Sequence, residues 1–162
     1  TLILDIGARS TNILIADQGH LKLVSQTDFA GGTLTQAIAS GLNINMNRAE
    51  ELKKLRGLTG AGGEYELSTL MFPYLDAILG EAKRLKTRYE TEYAGKVERI
   101  ILTGGTANLP GIKEYIEEQL ALPVVKANPF SSVGYPSNLE PIIGELGPVF
   151  SVALGLAIRG LI

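Results

Sequence analysis

Leu2-Ile3-Leu4-Asp5-Ile6-Gly7-Ala8-Arg9-Ser10-Thr11-Asn12-Ile13-Leu14-Ile15-Ala16 decides how this chain folds. An apolar run of strand length ends in Gly7, and a second run begins after a short polar turn. Asp17-Gln18-Gly19 is turn chemistry, and Leu21 to Phe29 alternates as a third strand. Two buried strands and a third joined by tight turns predict an antiparallel meander.

Past the meander the apolar period changes. Leu34, Ala37, Ile38 and Leu42 fall at helical spacing, with Thr33 or Thr35 placed to cap the start and Gly41 near the end. Asn47-Arg48-Ala49-Glu50 has the form of a capping box, opening a second helix that runs to about Arg56. The four glycines of Gly57 to Gly63 read as a loop. From Leu67 to Tyr93 apolar residues track one helical face, with Pro73 as a kink or first turn, while Lys83, Lys86, Arg88, Glu90 and Glu92 form a solvated face. Arg99 to Thr103 is a buried strand closed by Gly104-Gly105. Pro110 suits the first position of a helix to Leu120, Pro123 to Lys126 is a short strand, and Asn128 to Pro141 is loop-like. A final apolar helix is expected from about Val149 to Leu161. The whole is an α/β layered fold with a mixed sheet.

Composition narrows the chemistry. The 162 residues are 45% apolar and 20% charged, ordinary for a globular chain of one unit or two small lobes. The net charge of −2 leaves no basic field for nucleic acid. The absence of cysteine excludes disulfides, thiol catalysis and zinc–thiolate sites, and the single histidine, His20, is expected to be exposed and excludes a histidine metal cluster. The longest apolar stretch, Leu146 to Ile158, falls short of the ~20 residues that span a bilayer. Nor does a signal segment open the chain, so a soluble, cytoplasmic domain is expected. The abrupt apolar start at Thr1 is read as a chain cut from a longer protein.

Three places carry candidate chemistry. At the end of a buried strand Asp5 is costly unless its charge is used, for instance to orient water on Mg²⁺. Gly7 allows a tight turn and close ligand approach, and Ser10 and Thr11 add hydroxyl donors, so this turn suits phosphate. The alternative is a plain strand-turn-strand. Thr103-Gly104-Gly105-Thr106 follows a parallel-type strand, where ligands gather in open α/β sheets, although a Gly-Gly turn is also a common structural device. It is neither a P-loop nor a dinucleotide fingerprint. Glu50 and Lys53, one helical turn apart, can clamp a ribose hydroxyl and a base edge or form an ordinary surface ion pair.

The order of these segments resembles the actin-like ATPase superfamily. The residues that carry it are Leu4-Asp5-Ile6-Gly7-Ala8 with Ser10-Thr11, Phe29-Ala30-Gly31-Gly32 with Leu34 to Ala39, Arg48 to Lys53, Arg99 to Gly111, and Ala127 to Phe130. Within the superfamily the pattern is similar to PilM-type assembly proteins of type IV pili, with FtsA-type cell-division proteins as nearer cousins than actin. The resemblance implies an actin-like (ribonuclease H-like) mixed five-stranded sheet with flanking helices. Residues 1–31 and 95–162 would form the nucleotide-binding sheet subdomain, and 32–94 a helical insertion. It implies ATP and Mg²⁺ as cofactors. Gly7, Arg9, Ser10 and Thr11 would belong to the second phosphate loop, and Asp5 would take the catalytic place beside the metal-bound water. Glu50 and Lys53 would touch ribose and base, and Gly104, Gly105 and Thr106 would form the adenosine loop. Gly31-Gly32 would begin the helical subdomain, and the apolar final helix would pack under the cleft.

The sequence also departs from the family. Ala8-Arg9 stands where many relatives have glycine. No second buried strand ends in Asp-x-Gly, so the resemblance covers the carboxyl-terminal half alone. It places the first phosphate loop, and the groove for the amino-terminal peptide of PilN, on the other half. The expected partners are therefore that amino-terminal half, inner-membrane pilus proteins such as PilN through the full-length protein, and copies of the chain itself. The expected place is the cytoplasm, peripheral to the inner membrane. With phosphate positioned from one side only, the chain alone is expected to be at most a weak ATPase. The competing expectation is a nucleotide-free interaction or self-assembly module of FtsA-like fold. A sugar or acetate kinase is disfavoured, because no acid/base cluster for a hydroxyl acceptor accompanies Asp5.

Overall fold

The computed structural model describes residues 1–59 and 65–160, so the expected glycine loop falls partly outside the described residues, as does the last expected helical residue, Leu161. Strands β1 (Leu2–Ile6), β2 (Thr11–Asp17) and β3 (His20–Thr27) form the expected meander. Gln18 (φ 49°) and Gly19 (φ 77°) make the two-residue turn whose twist matches the flanking strands. After the helices α1 (Gly31–Leu42), α2 (Met46–Arg56) and α3 (Tyr65–Glu92), β4 (Ile100–Thr103) pairs parallel to β1. Helix α4 (Ile112–Leu120) then crosses over to β5 (Val124–Lys126), parallel to β4, and α5 (Ile143–Arg159) ends the described chain. The mixed five-stranded sheet has the order β3-β2-β1-β4-β5.

Helix starts differ in detail from the expectation. Asn45, not Asn47, caps α2, its side chain accepting the Arg48 N–H at 2.9 Å. Helix α1 begins at Gly31, where the Thr33 hydroxyl accepts the Ala30 N–H at 3.2 Å. Pro110 precedes α4 instead of opening it, because Gly111 (φ 79°) turns left-handed first. The loop expected over Asn128–Pro141 contains two short 3₁₀ turns, Pro129–Ser132 and Ser137–Ile142.

The period-two alternation sorts the sheet into unlike faces. Leu2, Leu4, Ile6, Ile13, Ile15, Ile100 and Leu102 are fully buried. They share one core with Met71, Leu75 and Ile78 of α3 and with Ile112 and Ile116 of α4. On the other face Val24, Leu14, Ile3, Ile101 and Val125 lie directly opposite one another across all five strands. Val24 and Val125 are about half exposed, and the three between are partly buried. The strands expected to be buried are thus buried on one face only. Helices α1 and α2 pack on each other, and α3 runs along β2 and β3. There Ser25 donates to Glu81 at 2.6 Å.

Helix α5 starts earlier than expected and carries Pro148 inside it. Together with the preceding 3₁₀ turn it makes a 23-residue segment, Ser137–Arg159, long and apolar enough by length and composition to cross a membrane. That corrects the expectation of a stretch too short to span. Ile143, Gly147 and Pro148 are its buried residues, whereas Val149, Phe150, Val152 and Leu156 are 45–64% exposed.

The two faces should respond differently to truncation. Leu4→Ala, in the closed core, is expected to cost about 2–5 kcal/mol. Val24→Ala, on the open face, is expected to cost less than about 1 kcal/mol. Urea unfolding midpoints of the two variants check the contrast.

Candidate functional site

Three segments distant in sequence meet at the carboxyl ends of β1 and β4. The N–H of Gly31 donates to the carbonyl of Gly7 at 2.9 Å, and that of Gly32 to the carbonyl of Ala8 at 2.9 Å. A Cβ on Gly31 would stand 2.7 Å from the Thr106 hydroxyl oxygen, and one on Gly32 2.7 Å from the Ala8 carbonyl. The glycine pair is therefore what lets the β1–β2 turn, the start of α1 and the turn after β4 touch. Gly104 (φ 84°) would put a Cβ 2.4 Å from the Ile6 carbonyl oxygen and 2.8 Å from Asp5 Oδ1. It has both a conformational and a steric need to be glycine.

These contacts floor a cleft of about 700 Å³, within the ~300–1,000 Å³ of small-molecule sites. Glu50, Lys53 and Lys54 of α2 form one wall. Across it stand Asn108, Leu109, Lys126, Glu145 and Val149. The far wall is tied to α5: Asn108 Nδ2 donates to the Glu145 carbonyl at 2.8 Å, and Lys126 Nζ to Asn108 Oδ1 at 3.3 Å. The Pro148 carbonyl accepts from Thr103 Oγ1 at 2.9 Å and from the Gly104 N–H at 3.0 Å.

Of the residues singled out in the sequence, Gly7, Glu50, Lys53, Gly105 and Thr106 line this cleft, and Gly104 lies beneath it. Asp5 sits at the end of β1 behind Gly104, its Oδ2 accepting from Asn12 Nδ2 at 3.4 Å. Asp5, Arg9, Ser10 and Thr11 are not in the lining. Arg9 is exposed, and the Ser10 carbonyl accepts the Gly7 N–H at 3.1 Å. Thr11 is fully buried and its hydroxyl donates to the Phe29 carbonyl at 2.7 Å. Ala8 belongs to the expected phosphate turn and also lines the cleft, whereas Lys54, Asn108, Leu109, Lys126, Glu145 and Val149 line it without having been expected as site residues. Only Lys126 carried a readable signal, as the residue closing the parallel strand beside β4.

Lys53 is no surface ion pair. Its side chain is 9% exposed, and its ammonium donates to the Gly31 carbonyl (2.9 Å) and Thr35 Oγ1 (2.8 Å), with Glu50 Oε2 at 2.7 Å. Lys54 Nζ lies 3.4 Å from Glu50 Oε1. Burial pushes the Glu50 carboxyl upward. Hydrogen bonds from Lys53, Thr35 and Lys54 and the charge of Lys53 outweigh it, holding the group below its ordinary 4.5. Among the described residues no cluster of three or more His, Asp or Glu side chains is placed to hold a metal.

The lowered Glu50 titration fixes a sign. The folded value lies below the unfolded one, so its stabilisation is complete above about pH 4.5 and drains away as pH falls through the folded value. Thermal midpoints recorded from about pH 6 down to about pH 3 should fall less steeply for Glu50→Gln than for the native chain. Equal slopes would contradict the assignment.

Residues 1–161 match the family model described as type IV pilus assembly protein PilM. In structure the chain is similar to one in a PilM-PilN type IV pilus biogenesis complex, with TM-score 0.85 and 28% identity over 99% of this chain and 46% of that one. In sequence it is 28% identical over 182 residues to the cell division protein FtsA of Pseudomonas aeruginosa, covering 98% of this chain and 42% of FtsA. The MreB 5 of Spiroplasma citri bound to AMPPNP shares the fold at 22% identity and TM-score 0.69, over 99% of this chain and 55% of that one. The chain thus spans less than half the length of the PilM and FtsA relatives. A family match along nearly all its length, on the same mixed sheet, shows that the chain belongs to the type IV pilus assembly protein PilM family and has an actin-like fold.

Proposed function

We propose that this chain supplies one side of the ATP cleft of an actin-like scaffold for type IV pilus assembly, as its carboxyl-terminal half. The observation that carries this is the meeting of Gly7, Gly31, Glu50, Gly105 and Thr106 around one cleft of nucleotide size. The donor set suits a nucleoside phosphate. Among the described residues the Ala8 and Arg9 N–H groups have no backbone acceptor, Gly105 faces open space, and Lys54 and Lys126 bring cations to the lining. Arg9, Ser10 and Thr11 belong to the phosphate turn, Thr11 by holding it to Phe29 and Arg9 by reaching from solvent. Mg²⁺ would fit only as an ion keeping most of its water, because Asp5 stands outside the cleft lining behind Gly104 and would reach it only through such a water; when bound it would supply charge neutralisation to the phosphates. Glu50, held by Lys53, forms the ribose side, and Gly104, Gly105 and Thr106 the adenosine side.

The remainder of such a protein, about as long again, supplies the opposite phosphate contacts. It would also cover the exposed apolar residues Val152 and Leu156 of α5. PilN is the proposed partner through the intact protein, because the structurally similar PilM chain is in complex with it. The site of action is then the cytoplasmic side of the inner membrane. One observation favours the alternative, a nucleotide-free interaction module. The first amides of α1, an anion site in many folds, are occupied here by the carbonyls of Gly7 and Ala8.

Calorimetric titration with MgATP separates these. This chain alone should bind more weakly than ~1 mM, about −4 kcal/mol, and the intact protein near micromolar, about −8 kcal/mol. Micromolar binding by this chain would contradict the two-sided cleft, and no binding by the intact protein would favour the nucleotide-free module. An apolar-surface dye should bind this chain more strongly than an ordinary monomer; equal binding would contradict the covered α5 face.

A further inference from the structure

The ammonium of Lys53 has three N–H bonds, and three acceptors surround it: the Gly31 carbonyl at 2.9 Å, Thr35 Oγ1 at 2.8 Å and Glu50 Oε2 at 2.7 Å. With the side chain 9% exposed, no donor is left for a molecule in the cleft. Glu50 differs. Its side chain is 37% exposed, and Oε1 has only Lys54 at 3.4 Å, so that oxygen retains capacity to accept from a ligand hydroxyl. The other end of the network reaches the opposite side of the site, since the same Gly31 whose carbonyl takes Lys53 gives its N–H to Gly7. Thr35 is buried and joins both arms, lying 3.0 Å from the Gly31 carbonyl and 2.5 Å from Glu50 Oε2. Its one proton serves only one of those acceptors at a time.

We propose that Lys53 is a positioning residue, tying the Glu50 carboxylate on α2 to the first turn of α1 while making no bond of its own to the ligand. The proposal rests on the nucleotide reading for the ligand's class, and it assigns the sugar hydroxyls to Glu50 alone. The charged groups facing Glu50 on its own helix are Lys53 and Lys54; α1 carries no ionisable side chain, and Glu145 and Lys126 stand across the cleft.

Carbon-13 titration of the Glu50 carboxyl tests the tie without any ligand. In Lys53→Met, only Thr35 and Lys54 are left to offset burial, and the Glu50 titration should move upward. Thr35→Val should move it the same way and serves if the lysine variant fails to fold. A Glu50 titration unchanged in both variants overturns the proposal. MgATP titration of the intact protein tests the second part. Glu50→Gln and Lys53→Met should each weaken binding roughly tenfold or more, the size of one lost hydrogen bond to a charged group. The double variant should lose no more than the worse single one. Losses that multiply would place Lys53 on the ligand and overturn the proposal. If the native protein binds no MgATP, the nucleotide reading fails, and the Glu50 titration still decides the positioning role.

Discussion

Everything around the cleft depends on how closely three backbones approach at Gly31. Its missing side chain leaves room for the Thr106 hydroxyl on one side and the Gly7 carbonyl on the other, while its own N–H and C=O are held by Gly7 and Lys53. A methyl group there would push the turn after β4 away from the start of α1 and open the floor. The buried Lys53 ammonium is tolerated because every one of its protons meets an oxygen and a carboxylate balances its charge.

The sheet was legible because its cause is local. Apolar runs of strand length between Gly7, Gly19 and Gly104 admit few arrangements, and the parallel β4 follows from the helices before it. Cap positions were less so, since Asn45 and Asn47 offer the same side chain two residues apart and only backbone geometry selects the one that reaches the Arg48 N–H. Lys53 was misjudged in one of its two readings. An opposite-charge pair at i, i+3 looks like surface chemistry until α1 packs over it from 18 residues away. Asn108, Lys126 and Glu145 share no motif at all, and only the docking of α5 by its Pro148 carbonyl brings them to one wall.

Helix α5 shows why an apolar stretch is ambiguous in sequence. Proline usually ends a helix. Here Pro148 lies buried inside the helix, and its carbonyl takes two donors from outside it, which docks α5 at the end of β4. One end of α5 thus closes the cleft wall with Val149, and the other presents Val152 and Leu156 outward. The apolar row on the open sheet face is likewise only partly covered. Both fit a chain that matches less than half of the relatives it resembles.

The central claim is that the nucleotide sits where the glycine turns converge. The most direct measurement is a backbone amide NMR titration of the chain with MgATP at millimolar concentration. The account expects the largest shifts at Ala8, Arg9, Gly31, Gly105 and Thr106. Shifts confined to the outer face of α2 or to the β2–β3 turn, or none anywhere, would contradict it.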